Sequence, residues 1–380
     1  MRVDLVITEL DVGGAERALT RLAIGLQERG DDVRVFSLGS LPREDRPGDG
    51  KDQLLRSLLE HDVDVASGEG AGAAQLPSVY RKLKRWLAER PGTVRQSFLF
   101  HANVLTGYAI GARKKGARKK GAGDGAWVGG VRVADPNRLR ILAEGMALRK
   151  ADHVVCVSRA VRAFSQNRYR LPATRLSVIA NGVETQRFQD AVPFDWSELN
   201  WSRESRVALF VGRLHEQKNL ALLQRTVDRF VDRPERKLVI AGGGPQQEEL
   251  LSWAERVGHD RVRVLPWQPD VAPLIAACRV FVLPSHYEGM PNVVLEAMAA
   301  GKPVVCSRVE GSDELIGDDA EQGFEPNNDV EFIQKVDRFL EDAEFADRVG
   351  LANRGRMESD FSVQRMVNDY RELYRRLLES

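Results

Sequence analysis

Short runs rich in Val, Ile and Leu alternate with longer amphipathic runs along this chain, and that alternation limits the fold more than any other feature. "RVDLVITEL" is followed by "GGAERALTRLAIGLQERG", helical in its apolar spacing and closed by Gly30, and then by "DDVRVFSL". The strand-like pattern returns in "TVRQSFLF", "AWVGGVRVA", "HVVCVS" and "RLSVIANG". Strand, helix and strand in this order predict a mostly parallel, doubly wound sheet. The rhythm breaks at a polar connector with two tryptophans, "QDAVPFDWSELNWSRES" at residues 189–205. It restarts with "RVALFVGR", "KLVIAGGG", "RVRVLPW", "RVFVLPS" and "KPVVCSRV". A chain of 380 residues exceeds one ordinary core, so two Rossmann-like α/β units are predicted. "FSVQRMVNDYRELYRRLLES" closes the sequence as a long helical pattern.

Composition excludes several classes. With 43% hydrophobic and 29% charged residues the chain reads as a globular protein. A net charge of +1 gives no global attraction to nucleic acid or membrane. Cys156, Cys278 and Cys306 are odd in number and form no C-x-x-C pair, which predicts buried reduced thiols in a cytoplasmic protein. Asp4 and Glu9 interrupt the apolar start, unlike a signal peptide. No apolar run approaches the ~20 residues that span a bilayer. The pair Asp62 and Asp64 in "HDVDVAS" reads as loop plus strand, not as a metal site, because no further ligands accompany it.

Ligands of open parallel sheets bind outside the carboxyl ends of the strands, and the residues there are distinctive. Gly13 and Gly14 follow the first strand and open a helix, an arrangement that suits a phosphate, although a plain turn explains a glycine pair equally well. No G-x-G-x-x-G is present and "VRVFSLGS" ends without an acid, so NAD is not expected. His101 stands at the mouth of the sheet, where a histidine either moves a proton or is simply a structural hydrogen-bonder. In "GRLHEQKN", Arg213 and Lys218 form a cation pair able to clamp a diphosphate, or else a solvated loop. "AGGGP", residues 241–245, lets a backbone press against a flat base or serves as a connector. In "HYEGMPNVVLEAMAAGKPVV", Glu288 lies in a loop and Glu296 in an otherwise apolar helix. Burying two unpaired carboxylates is costly, and ligand hydroxyl groups are the expected partners.

Taken together and in order, "GGAER", "NGVETQRF", "VGRLHEQKN", "AGGGP" and "PSHYEGMPNVVLEAMAAGKPVV" resemble the retaining GT-B glycosyltransferases of family four, and the likeness covers nearly the whole chain. The resemblance implies two Rossmann-like domains with a cleft between them: residues 1–188, rejoined by the returning helix 361–380, for the acceptor, and 189–360 for the nucleotide-sugar. It implies that Gly13 and Gly14 line the donor phosphates and that Arg213 and Lys218 neutralise the departing nucleoside diphosphate. Glu288 would face the transferred sugar and Glu296 the ribose hydroxyls, with Gly243, Gly289, Met290, Pro291, Asn292 and Val293 lining the donor. His101 would sit near the sugar, and Arg132 and Asn103 would hold the acceptor. A UDP-linked donor, a hydroxyl acceptor such as a sugar or lipid-linked saccharide, no metal or other cofactor, and a role in envelope polysaccharide synthesis are the expectations. A nucleotide-sugar epimerase or phosphorylase of the same fold is the alternative, and a non-catalytic nucleotide-sugar-binding partner a third. "VEGSDELIGDDAEQGFEP" departs from the family in its acidity.

"GARKKGARKKG" is a perfect tandem repeat with six cations in residues 113–120. Like charges at that density cannot be packed inside, so this is a solvated segment, with no aromatic platform for nucleic acid. In "SVYRKLKRWLAERPG", Val79, Tyr80, Leu83, Trp86 and Leu87 fall at helical spacing within a basic rim. That apolar face is expected to pack on the sheet, while the basic rim of residues 78–90 and the loop 111–120 form a patch that touches an anionic membrane at its inner, cytoplasmic face, unless the loop is simply a tolerated surface insertion.

Overall fold

The computed structural model describes residues 1–43, 50–111, 125–135 and 137–379. The chain divides into two compact units, Met1–Gly182 with Val363–Ser380, and Val183–Ser362. Both are α/β, as the alternation predicts.

The first unit is built on a seven-stranded parallel sheet in the order β3-β2-β1-β4-β5-β6-β7. Its strands are β1 (Arg2–Ile7), β2 (Asp32–Gly39), β3 (Asp64–Gly70), β4 (Val94–Phe98), β5 (Trp127–Val131), β6 (His153–Cys156) and β7 (Leu176–Val178). β1 is buried from Val3 onward, including Asp4. That carboxylate is held by both nitrogens of the Arg34 fork, at 3.1 Å each, on the neighbouring strand. The charge that interrupts the apolar start is thus satisfied within the sheet. β3 has no apolar alternation because it is an edge strand of small residues. A Cβ at Gly68 would stand 2.7 Å from the Leu38 carbonyl oxygen and 2.8 Å from Val79.

The C-terminal helix Val363–Glu379 packs on the helix Gly14–Gln27. Val367 fills the space left by Gly25, Arg371 reaches Asp31 at 2.8 Å, and the Tyr374 hydroxyl donates to Gln96. On the opposite face of the sheet, Val79, Leu83, Trp86 and Leu87 of the helix Leu76–Ala88 belong to the core with Phe36 and Leu38. The apolar face of this helix is internal, as expected, with Tyr80 half-buried, and the exposed residues of 78–90 are Arg81, Lys84, Arg85, Ala88 and Glu89. The tandem basic repeat, from residue 112 on, lies outside the described residues.

The second unit carries a six-stranded parallel sheet in the order β10-β9-β8-β11-β12-β13. Its strands are β8 (Arg206–Val211), β9 (Arg236–Ala241), β10 (Val262–Leu265), β11 (Val280–Leu283), β12 (Val304–Ser307) and β13 (Gly323–Phe324). β13, only two residues long, is below the reach of periodicity. The two-tryptophan connector is structural: Trp196 and Trp201 are buried, donating to the carbonyls of Ala277 and His259. Residues 183–188, which the resemblance assigns to the first unit, belong to the second. Phe188 is buried, and the Val183 amide donates to Phe361 at 2.8 Å. All three cysteines are buried free thiols, and burial pushes Cys278 up to about 11 and Cys306 up to about 12.

Candidate functional site

In the second unit the predicted residues converge on the carboxyl ends of β8, β9 and β11. The chain leaves β8 at Gly212, exposes Arg213, buries Leu214 and closes a short turn at Lys218. Asn219 in the left-handed region then starts the helix Leu220–Phe230. The glycines of the loop after β9 are required by this neighbour. A Cβ on Gly242 would lie 1.9 Å from the Gly212 oxygen, and one on Gly244 2.4 Å from the Leu214 oxygen. Gly243 has room, with Trp267 and Gln247 its nearest neighbours at 3.7 and 3.8 Å. Two of the three glycines thus serve loop-to-loop packing.

Lys218 reaches across to the loop after β11, where its Nζ bonds Glu288 Oε1 at 2.5 Å. Ser285 Oγ donates to the same oxygen at 2.7 Å, and Ser307 Oγ in turn donates to the Ser285 carbonyl. Gln217 ties the loops further, accepting from the His286 amide and donating to the Tyr287 carbonyl. Glu288 therefore has protein partners, contrary to the expectation that both glutamates wait for ligand hydroxyls. The buried ion pair offsets the desolvation that made the residue improbable in sequence. Glu296, 1% exposed on the helix Asn292–Ala299, is likewise engaged. Met290 and Asn292 are buried and engaged, and Pro291 and Val293 frame the helix start. Gly289 is pressed by the acidic segment that follows β12: a Cβ on Gly311 would lie 2.0 Å from the Gly289 oxygen. Ser285 is the residue that sequence reasoning missed, since a serine after a strand carries no signal until its distance to a carboxylate is known.

In the first unit the glycine pair is followed by a carboxylate that was not predicted. Glu16, 7% exposed, folds back so that its Oε2 would stand 2.2 Å from a Cβ on Gly13. Gly13 is extended, at φ −120°, so its lack of a side chain is what admits the Glu16 carboxyl. Burial, with Glu9 and Asp11 adding repulsion against the pull of its own amide and Arg132, pushes Glu16 up to about 7. A raised acid is favoured in its protonated form, so its stabilising contribution is full below pH 4.5 and is lost as pH rises through about 7. Glu16→Gln is expected to raise the melting temperature at pH 8 and to leave it unchanged near pH 4. The upper limit of the gain is about 3 kcal/mol, from the size of the shift. Thermal unfolding of both proteins across that range checks it.

Arg132 lies after β5, 6% exposed, with its guanidinium over the Phe98 ring and bonded to Asn181. His101 stands exposed in the first turn of the helix Phe100–Ile110, after Leu99 at φ 73°. Such a φ is costly for a branched side chain and marks a site where geometry is imposed. Partial burial and the nearby Arg140 lower its pKa, so at neutral pH the ring is uncharged. Asn103 is separate from these. It is fully buried, with its amide bonded to Gly130, Ser97 and Glu144, and Glu144 accepts from Tyr169 at 2.5 Å. Both polar atoms of Asn103 are occupied in the interior, which gives it a structural place away from an acceptor. Among the described residues no three His, Cys, Asp or Glu side chains gather as a metal-binding group. Asp62 is a turn residue at φ 55° and Asp64 the first residue of β3.

Comparison with known proteins agrees with the α/β fold of the two units. The family model described as Glycosyltransferase Family 4 matches residues 12–187, and that described as Glycosyl transferases group 1 matches residues 194–356. The chain is 30% identical over 257 residues to alpha-maltose-1-phosphate synthase of Mycolicibacterium smegmatis, covering 62% of this chain and 65% of the relative. It is 27% identical over 240 residues to the UDP-Gal:alpha-D-GlcNAc-diphosphoundecaprenol alpha-1,3-galactosyltransferase of Escherichia coli, covering 61% and 62%. These matches thus span somewhat less than two thirds of either relative. Among solved structures, Anabaena Alr3699/HepE in complex with UDP and glucose superposes with a TM-score of 0.81 at 20% identity, covering 99% of this chain and 100% of that one.

Proposed function

Because this chain belongs to the glycosyltransferases of family 4, with their GT-B fold, we propose that it moves a sugar from a UDP-linked donor to a hydroxyl acceptor with retention of configuration and without a metal ion. The observation that carries this reading is the doubly held Glu288 beside the Arg213–Lys218 loop. Both of its bonds fall on Oε1, which leaves Oε2 for a hydroxyl of the transferred sugar. In the reaction the anomeric carbon–phosphate oxygen bond breaks and a bond to the acceptor oxygen forms. The acceptor proton passes to the departing phosphate oxygen, and nucleoside diphosphate is released. Arg213 and Lys218 receive the charge that develops on that group, as preorganised cations that need no reorganisation at the moment of transfer. Glu296 holds the ribose.

On the first unit, the start of the helix Gly14–Gln27 offers amide donors to phosphate, and Arg132 with uncharged His101 faces the acceptor. The Escherichia coli relative, whose named acceptor is a diphosphoundecaprenol-linked sugar, supports a lipid-linked saccharide acceptor and a role in envelope polysaccharide synthesis. To test the reading, the purified chain is supplied with a panel of UDP-hexoses, with and without candidate acceptors. UDP is expected to appear only when an acceptor is present, and the product to keep the donor's anomeric configuration by NMR. An inverted product overturns the mechanism, and an altered sugar-nucleotide without acceptor favours the epimerase.

A further inference from the structure

The helix Arg138–Leu148 turns an apolar stripe to solvent. Leu139, Leu142 and Met146 are 79%, 58% and 41% exposed, and their i, i+3, i+7 spacing places them on one face. A single exposed leucine is ordinary, whereas three large apolar side chains along one helix face form a patch. The other face is committed to the interior, where Glu144, Gly145, Ala147 and Leu148 are buried.

The exposed charges of this helix and its C-cap have one sign, and the nearby acid is Asp135 of the preceding loop. Arg138, Arg140 and Arg149 are exposed, and Arg140 shares its charge with Asp135 at 3.0 Å. The one carboxylate of the helix, Glu144, is turned inward to Asn103 and Tyr169. The helix Phe100–Ile110 packs against both this helix and Leu76–Ala88, so the exposed cations Arg81, Lys84 and Arg85 lie in the same helical layer.

We propose that the helix Arg138–Leu148 is the surface by which this protein docks on an anionic lipid leaflet. Its three apolar side chains enter the headgroup boundary, and its arginines meet lipid phosphates. An amphipathic helix with leucines on one side and cations along its edge is the arrangement that lies in a membrane interface. The sequence pattern pointed instead to the basic rim of residues 78–90 and to 111–120, with the apolar face of the former packed in the core as expected. That helix offers charge with a single exposed large apolar side chain, Leu76 at 43%, against three in a row on Arg138–Leu148. A second copy of the chain is the poorer occupant, because a two-fold contact would set arginines against arginines.

The test is flotation of the full-length chain with phosphatidylcholine vesicles containing about one third phosphatidylglycerol, at low and at high salt. It requires no sugar donor, so its outcome is independent of the proposed chemistry. The wild type is expected to float at low salt and to be released by high salt. The double variant Leu139→Gln/Leu142→Gln is expected to lose roughly tenfold or more in vesicle-bound fraction, with an unchanged melting temperature. Arg138→Glu/Arg149→Glu is expected to lose binding to anionic vesicles as well. A wild type that stays at the bottom of the gradient overturns the proposal. So does a leucine variant that floats like the wild type, which would return the contact to residues 113–120. A wild type that is dimeric in vesicle-free solution and becomes monomeric on the leucine substitutions also overturns it, by making the stripe a contact between copies.

Discussion

Arg213→Ala is expected to lower turnover by about 10²–10³, the usual loss when one preorganised charge stabiliser is removed, while the melting temperature stays at the wild-type value. Arg213 is exposed, and the backbone around it is held by others: Leu214 is buried, its amide donates to Gly243, and its carbonyl accepts from Gln246. Its loss is therefore read in the chemistry rather than the fold. Lys218→Ala is expected to cost at least as much, for two reasons. It removes a second cation from the leaving diphosphate, and it leaves Glu288, 8% exposed, without its ion-pair partner. Breaking one side of a buried pair is costly in itself, so this variant is expected to melt lower as well. Steady-state kinetics with and without EDTA, beside thermal unfolding of both variants, separate the effects. If EDTA abolishes wild-type activity and magnesium or manganese restores it, the two cations do not replace a metal.

The two glutamates are expected to fail differently. Glu288→Gln keeps the shape of the side chain but loses the charge that Lys218 and Ser285 hold in place. A hydrogen bond to a charged group contributes about 1.5–3 kcal/mol, so turnover is expected to fall roughly 10–100-fold with little change in KM. Glu296→Gln is expected to raise the KM for the donor and to leave turnover near the wild-type value, because a contact to ribose is made equally in the ground and transition states. The variant pair Lys218→Met and Glu288→Gln adds a control. Residues joined by an ion pair are coupled, so the double variant is expected to lose less than the sum of the two single losses. Equal shifts in both kinetic parameters for both glutamates would refute the division of labour. Full additivity in the cycle would show that the 2.5 Å pair between Lys218 and Glu288 does not act in the reaction.

Much of this protein is determined by sequence alone, and the reason is local. Strands and helices with continuous apolar faces declare themselves by period, so β1, β2, β4 to β7 and β8 to β12 all coincide with runs visible in the chain. The loops that follow β1, β8, β9 and β11 are likewise legible, because glycines, fixed cations and an acid in an apolar helix are unusual wherever they occur. β3 was only half visible, since an edge strand of small residues shows no alternation.

What only the tertiary structure decided concerns partners, which sequence spacing does not encode. Lys218 and Glu288 are seventy residues apart and pair because β8 and β11 are neighbours in the sheet. Ser285 joins them only once that loop is folded. That Gly13 also makes room for Glu16 shows only in the fold, where the carboxyl lies in the space its missing side chain leaves. Asn103 is close to His101 in sequence, yet the helix turns it inward to Glu144. The apolar residues of the helix Leu76–Ala88 and those of Arg138–Leu148 look alike as letters. The sheet buries the first set against Phe36 and Leu38 and leaves Leu139, Leu142 and Met146 in water. Burial depends on which face the layer covers, and no single helix carries that information.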